Sequence, residues 1–166
     1  MSANSITWDR VAKNAFQMYQ DREKYAYWYD AKGIILTDEA MDYLISIHPE
    51  HFRRWSAAEL EALKAYSRGR IGYDCTGFIW AVTEHLVGGS ADVIYRNSPK
   101  KWTNTVDNWS GTMLHKPGHA GLDIGYGWGF HMPLEGHTVE LVHSRAYDWT
   151  DACTLAGINY DGAASY

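Results

Sequence analysis

A cysteine stands where an apolar helical pattern begins, a position that can make a thiol reactive. Cys75 follows Asp74, and the apolar residues behind it recur at helical spacing: Phe78, Ile79, Val82 and Leu86. A free thiol has a pKa of about 8.5, which a helix N-terminus and a nearby imidazolium lower to roughly 3.5–7.5. Asp74 is suited to cap this helix by accepting a backbone N–H. On this stretch alone, Cys75 is equally well explained as a small buried residue.

Two histidines lie in a second pattern, which is typical of a β-hairpin. Residues 118–125 and 127–132 alternate apolar with small or polar residues around a glycine-containing turn. A three-residue turn pairs residue 123 with 127 and places His119 directly opposite His131, with Cβ atoms about 5 Å apart. A two-residue turn places the two histidines on opposite faces instead. In the first register, the neighbouring glycines leave the histidine face open.

These residues supply the parts of a nucleophilic triad. Covalent acyl transfer needs a thiol, a histidine that takes its proton, and a polar residue that orients the histidine. Three stretches resemble the motifs of the NlpC family of papain-like cysteine endopeptidases, which cut bacterial cell-wall peptides. They are Tyr27-Trp28-Tyr29-Asp30, Asp74-Cys75-Thr76-Gly77-Phe78, and His119-Ala120-Gly121-Leu122-Asp123-Ile124-Gly125 followed by His131. The resemblance covers roughly residues 20 to 160.

The resemblance implies an α+β fold of the papain-like NlpC type. N-terminal helices and the helix of the nucleophile would pack on an antiparallel β-sheet that carries the histidines. It implies that Cys75 is the nucleophile, His119 the base and His131 the residue that orients the base. His143 is the reserve candidate for the orienting role if the hairpin has another register.

The same resemblance implies how the substrate is held. Tyr27, with Tyr29 as the alternative, would donate to the oxyanion together with the backbone N–H of Cys75. Asp74 and Thr76 would flank the first substrate pocket and contact a peptidoglycan stem peptide. The bond cut would join γ-D-glutamate to a diamino acid, without a metal or another cofactor.

Three positions depart from the family pattern. Thr76 replaces the usual serine, which keeps the hydroxyl and adds a methyl group. Asp30 stands where a glycine is usual, and Asp123 where an aromatic or aliphatic residue is common. A carboxylate on the face of His119 is expected to raise the pKa of that histidine.

Composition narrows the function classes. With 166 residues, 46% hydrophobic and 21% charged, the chain is predicted to be one catalytic domain, residues 1–166. A net charge of −5 argues against a nucleic-acid partner. No stretch approaches the ~20 apolar residues of a membrane span. Cys75 and Cys153 are expected to be reduced, because a disulfide would consume the nucleophile.

The first five residues have neither a basic nor an apolar segment, so no secretory signal is visible. We therefore expect cytoplasmic synthesis and release to the cell wall by a non-signal route, of the phage or effector type.

The helices and strands that must position these residues are predicted from hydrophobic periodicity and from residues that begin or end such elements. Helices are expected over residues 6–24, from about 38 to about 47 with a stop near Pro49, and after the capping box formed by Ser56 and Glu59. Residues 90–117 are expected to be a long irregular connection, in which Trp102 and Trp109 either line the groove or anchor the loop. A third strand is expected within 137–144, and residues 147–160 should return to the sheet edge.

Other polar clusters have simpler explanations. His48 and His51 flank a proline and indicate a surface turn rather than a metal pair. His115 and His119 are four apart, but Pro117 prevents the helix that a zinc site at this spacing needs. Glu140 is expected to be solvated rather than paired with Asp123.

Two other functions remain open on sequence grounds. One is an amidase or transferase on the same scaffold, for instance an interbacterial effector. The other is a non-catalytic module that binds cell-wall peptides. The sequence does not indicate the oligomeric state.

Overall fold

A computed structural model describes residues 5–105 and 107–163. The helices are α1 Trp8–Gln20, α2 Asp38–Ile47, α3 Pro49–Phe52, α4 Ala57–Ser67, α5 Cys75–Val82 and α6 Ala91–Arg96, with a 3₁₀ turn at Arg22–Lys24. The strands are β1 Tyr25–Tyr27, β2 Lys32–Ile35, β3 Ile71–Tyr73, β4 Lys101–Thr103, β5 Met113–Lys116, β6 His119–Gly125, β7 Trp128–His131, β8 Glu140–His143 and β9 Asp151–Cys153.

The strands form two sheets, and the helices lie mainly in the N-terminal half. In the small sheet β3 lies between β1 and β2, parallel to β1 and antiparallel to β2. The large sheet has the order β4-β9-β5-β6-β7-β8, and all its neighbouring pairs are antiparallel. The main core joins α1 and α5 to the large sheet. This is the predicted α+β architecture.

Helix starts follow the sequence signals closely. The Thr37 side chain accepts the N–H of Ala40 at the start of α2. Ser56 and Glu59 form the predicted capping box of α4, in which each side chain accepts a backbone N–H of the other residue. α2 ends at Ile47, but Pro49 begins α3 rather than loop, since the first turn of a helix tolerates proline.

The segment 90–117 is more regular than its sequence predicts. It holds α6, β4 and β5, and β9 lies between β4 and β5 instead of at the sheet edge. β5 is buried along most of its length, so it shows no alternation of apolar and polar residues. β4 and β9 have three residues each, too few to show a period.

The hairpin that carries both histidines has a two-residue turn, not the predicted three-residue turn. Tyr126 and Gly127 occupy the turn with φ of 58° and 77°, and Gly125 pairs with Trp128. Positive φ at both central residues is the conformation whose twist matches the flanking strands.

A bulge in β6 then shifts the pairing by one residue, which determines the faces on which the side chains of the two strands lie. The register shifts at Ile124, and beyond it Leu122 pairs with Phe130. Continuing this register places residue 121 opposite residue 131. His119 and His131 therefore share one face, as predicted, but as diagonal rather than direct neighbours. A two-residue turn without the bulge would have separated them.

The start of α5 is attached to the turn after β1 by close backbone contacts. The Asp74 N–H donates to the Ala31 carbonyl at 3.0 Å, and the Trp28 N–H donates to the Tyr73 carbonyl at 3.1 Å. A Cβ on Gly77 would lie 2.7 Å from the Ala31 oxygen. Glycine at this position of the motif is therefore what allows the turn to approach the nucleophile helix.

We expect Gly77→Ala to destabilise the protein. Displacing a backbone carbonyl costs about 1–3 kcal/mol, which outweighs the roughly 1 kcal/mol that alanine adds to a helix. Chemical denaturation measures the difference. Gly88→Ala is the matched control, because the nearest atom to its Cβ is a Trp80 carbon at 3.5 Å. Equal unfolding midpoints for the two variants would contradict the prediction.

Candidate active site

The predicted nucleophile is the first residue of α5. Asp74 caps the helix, since its Oδ1 accepts the Gly77 N–H at 2.6 Å and the Thr76 hydroxyl at 3.2 Å. The backbone N–H of Ala120, the residue after His119, is close enough to the sulfur of Cys75 to lower the pKa of the thiol. These contacts bring the start of α5 against the start of β6.

The resting thiol of Cys75 is protonated. Its residue is 9% exposed. Burial, and then the Asp74 carboxylate, raise the pKa of Cys75 to about 11, although backbone N–H groups at the helix start oppose the shift. The helix N-terminus does lower this pKa, but loss of solvation outweighs the amide dipoles, so the net shift is upward and not downward as expected.

The two predicted histidines are hydrogen-bonded to each other. Nε2 of His119 lies 2.9 Å from Nδ1 of His131. Nδ1 of His119 makes no hydrogen bond among the described residues. His143, the reserve candidate, contacts Trp128 at the other end of the hairpin, with ring centroids 4.9 Å apart. The structure thus brings His131, and not His143, to His119.

Both histidines are neutral at physiological pH. They are 8% and 3% exposed. Burial, and then the charge of His131, lower the pKa of His119 to about 3. Burial also lowers the pKa of His131 to about 4. The expected upward shift from Asp123 is wrong, because that carboxyl is itself buried and accepts from the Gly125 N–H and from Asn108.

The histidine face is covered rather than open. The Trp149 ring stacks on His119 with centroids 5.1 Å apart and planes 11° apart. A Cβ on Gly121 would lie 3.0 Å from the Trp149 ring, so glycine here admits the indole. Tyr147 contacts both histidines, at 5.6 Å and 4.9 Å between centroids. Sequence reasoning missed both aromatic residues, since they follow His119 by about thirty positions without a motif.

Tyr27 lies at the end of β1 and lines the cleft together with Cys75. Its hydroxyl makes no hydrogen bond among the described residues. Burial, and then the proximity of Cys75, raise the pKa of Tyr27, so the phenol stays protonated and able to donate. Tyr29 also lines the cleft, but its ring stacks on His51 at 4.0 Å.

The cleft beside Cys75 has a volume of about 410 Å³ and is rich in charged side chains. Asp74 and Thr76 line it as predicted. Asp30 also lines it, with φ of 62°, a conformation that glycine adopts more readily than aspartate. The Asp30 carboxylate lies 2.8 Å from Nε2 of His48.

The remaining polar clusters lie outside the triad. Glu140 pairs with His137, not with Asp123. Trp102 and Trp109 line a separate pocket of about 250 Å³, which shares no residue with the Cys75 cleft. They therefore do not line the groove.

The prediction of a surface turn at His48 and His51 is only partly right. His51 lies in the one-turn helix α3, and its ring is packed against the buried carboxylate of Glu135 at 2.9 Å.

Within residues 5–105 and 107–163, no three His, Cys, Asp or Glu side chains cluster as a metal site. No helix there has the length and apolar character needed to cross a membrane.

We expect stability to depend on pH with two opposing contributions. The folded-state pKa values of His119 and His131, about 3 and about 4, lie below the ordinary 6.5. Their contribution to stability is therefore present above pH 6.5 and lost as pH falls through these values. Burial raises the pKa of Asp123 from 3.8 to about 7, so its contribution is present at low pH and lost as pH rises toward 7.

Urea unfolding between pH 4 and pH 7 checks both contributions. His131→Asn should flatten the rise of unfolding free energy with pH. Asp123→Asn keeps an oxygen for the Gly125 N–H and should make that rise steeper. Parallel pH profiles for the unmutated protein and both variants would contradict the assignment.

Solved structures of NlpC and NlpC/p60 proteins share this fold. NlpC1 from Trichomonas vaginalis matches with a TM-score of 0.56 and 13% identity, over 93% of this chain and 46% of its own. The NlpC/p60 domain of the peptidoglycan hydrolase SagA matches with a TM-score of 0.55 and 15% identity, over 90% of this chain and 100% of its own. NlpC2 from Trichomonas vaginalis matches with a TM-score of 0.54 and 13% identity, over 93% of this chain and 48% of its own.

The likeness is one of structure and not of overall sequence. The chain spans about half the length of the two Trichomonas vaginalis chains and the whole of the SagA domain. No protein-family model and no curated protein matches it. Its helices, its antiparallel sheet and their order along the chain nevertheless show that the protein has the papain-like NlpC/p60 fold.

Proposed function

We propose that this protein is a cysteine peptidase that hydrolyses peptidoglycan stem peptides, with Cys75, His119 and His131 as its triad. The observation that carries the proposal is the buried hydrogen bond between His119 on β6 and His131 on β7, next to the point where Ala120 of β6 approaches the Cys75 sulfur. A surface pair of histidines would have no need of such burial. The likeness to the SagA domain, a peptidoglycan hydrolase, supports the substrate class.

The reaction starts from neutral groups. When a substrate carbonyl enters the cleft, Nδ1 of His119 takes the proton of Cys75 and the thiolate attacks the carbonyl carbon. The Nε2–H of His119 donates to Nδ1 of His131, which stabilises the imidazolium in its productive orientation. His119 then protonates the leaving amine, and water hydrolyses the thioester with His119 acting as the base again.

The oxyanion of each tetrahedral intermediate needs donors that are already in place. The backbone N–H of Cys75 at the start of α5 is one of them. The Tyr27 hydroxyl is the other, because it is protonated, unbonded and on the cleft wall.

The substrate lies along the cleft beside Cys75, where Asp74 and Thr76 contact the polar groups of a stem peptide. The bond we assign is γ-D-glutamyl to a diamino acid, cut by an enzyme of the phage-lysin or bacterial wall-hydrolase type. Charged side chains on the cleft wall suit a peptide of this polarity better than an apolar ligand.

We expect purified peptidoglycan fragments to lose a stem-peptide bond on incubation with this protein. Mass spectrometry should show a fragment with a new free amine, whose mass names the bond. Cys75→Ala should abolish the product, since Cys75 is the only thiol among the described residues that line the cleft. Cys153→Ala is the matched control and should retain activity, because its thiol lies in β9 and outside the cleft.

Other products would change the assignment. Release of ammonia or exchange of a peptide partner would indicate an amidase or transferase. Unchanged fragments from several wall types, with binding retained, would indicate a module that binds wall peptides without cutting them.

We expect Tyr27→Phe to lower kcat by about 10²–10³-fold, the usual cost of one oxyanion donor. The KM should change little, because the donor acts on the intermediate rather than on the bound peptide. Steady-state kinetics on the fragment identified above measure both constants. An equal loss in Tyr29→Phe and none in Tyr27→Phe would move the donor to Tyr29.

A further inference from the structure

We propose that Glu135 and His51 act as a positioning pair. The pair holds the segment 27–30, here called the aromatic turn, so that the Tyr27 hydroxyl meets the oxyanion. This inference rests on the proposed function and adds residues that the triad does not use. It assigns Glu135 no contact with the substrate, since Glu135 does not line the cleft.

The carboxylate of Glu135 is completely buried. Its side chain is 0% exposed, and that of His51 is 11% exposed. Oε1 of Glu135 accepts the backbone N–H of Tyr29 at 3.0 Å and lies 2.9 Å from Nε2 of His51, and Oε2 lies 3.1 Å from the same nitrogen. A carboxyl group that loses water needs such partners, so the three groups form one unit.

His51 is fixed by the aromatic core beneath it. Its ring stacks on Tyr29 with centroids 4.0 Å apart, and it meets Phe52 and Trp55 edge-on. Phe52 belongs to the second core, which lies among the N-terminal helices. The imidazole therefore gives Glu135 a rigid partner.

Glu135 lies in the loop between β7 and β8, which follows His131 directly. The same loop accepts a second hydrogen bond from the aromatic turn, because the Tyr27 N–H donates to the His137 carbonyl at 2.9 Å. Two backbone N–H groups of the turn, two residues apart, are thus anchored on one loop. That loop physically joins the residue that orients the base to the residue that would stabilise the oxyanion.

The Tyr27 hydroxyl depends on this anchoring for its position. Among the described residues no partner bonds the hydroxyl, so backbone placement and packing alone determine where it points. β1 has only three residues and pairs with β3 alone. A shift of about 1 Å in a catalytic group can cost on the order of 10²-fold in rate.

Two substitutions at Glu135 separate positioning from mere stability. Glu135→Gln keeps an oxygen for the Tyr29 N–H, whereas Glu135→Leu removes the acceptor in a side chain of similar size. We expect Glu135→Leu to lower kcat roughly 10- to 100-fold with little change in KM. Glu135→Gln should keep most of the activity. The alkylation rate of Cys75 by iodoacetamide should match that of the unmutated protein in both variants, because alkylation forms no oxyanion.

Amide hydrogen exchange gives a readout that does not need a substrate. In Glu135→Leu, the segment 25–31 should exchange faster while helix α5 keeps its protection. Ile158→Ala is the control for lost stability, since Ile158 is buried beside the bridge between Thr7 and Asn159 and is not part of the second core, which contains residues of the segment 25–31. At a temperature where every variant is folded, it should leave both kcat and the exchange of 25–31 unchanged.

The outcomes distinguish the two proposals. No hydrolysis by the unmutated protein would overturn the proposed function, while exchange still decides whether Glu135 fixes the turn. Exchange of 25–31 at the same rate in Glu135→Leu and the unmutated protein would overturn the positioning role. Full kcat in Glu135→Leu, or an equal loss in Ile158→Ala, would also overturn it.

Discussion

Exclusion of water from the thiol and the two imidazoles is the constraint on which the rest of this structure depends. Cys75, His119 and His131 are each less than a tenth exposed. Burial favours the neutral form of all three, since no full counter-charge compensates the lost hydration. In the resting site, Cys75 and His119 therefore do not form a thiolate–imidazolium pair. In the proposed reaction, charge appears only when a substrate carbonyl can accept the sulfur and when oxyanion donors are already in place.

Two halves of the chain must meet to build such a site, and each contributes what the other lacks. The helical half provides the thiol on α5 and the aromatic turn with Tyr27. The large sheet provides His119 on β6 and His131 on β7, the proposed base and its partner. The halves meet where the Tyr27 and Tyr29 N–H groups of the helical half donate to the loop after β7. Side-chain packing alone would tolerate small slips between the halves, whereas directional hydrogen bonds limit them.

The sequence predicts the local features of the site well. The cap at Asp74, the capping box at Ser56 and the histidine hairpin all depend on residues a few positions apart. The bulge at Ile124 could not be predicted, because the alternation of apolar and polar residues is the same with or without it. That the histidines share a face was predicted from a turn length that is wrong, and the bulge compensates for the error.

Features that depend on distant residues could not be predicted. Gly121 indicates that space is left beside the strand, but no nearby residue indicates that Trp149 fills this space. The pKa shifts depend on the same burial, so the expected lowering at Cys75 and raising at His119 were both wrong in sign. His51 reads as a surface histidine because Glu135, its partner, lies 84 positions away.

The choice of histidine as the orienting residue is consistent with this dry environment. A buried carboxylate beside His119 would need compensation for its lost hydration. Neutral His131 avoids that cost and still determines the tautomer. If its Nδ1 accepts from Nε2–H of His119, then Nδ1 of His119 carries a free lone pair. That nitrogen is the one left to take the Cys75 proton. A neutral partner stabilises the imidazolium less than a carboxylate does, so more of the stabilisation must come from the oxyanion side. The placement of Tyr27, and of the groups that hold its turn, therefore contributes more to the rate of the proposed reaction.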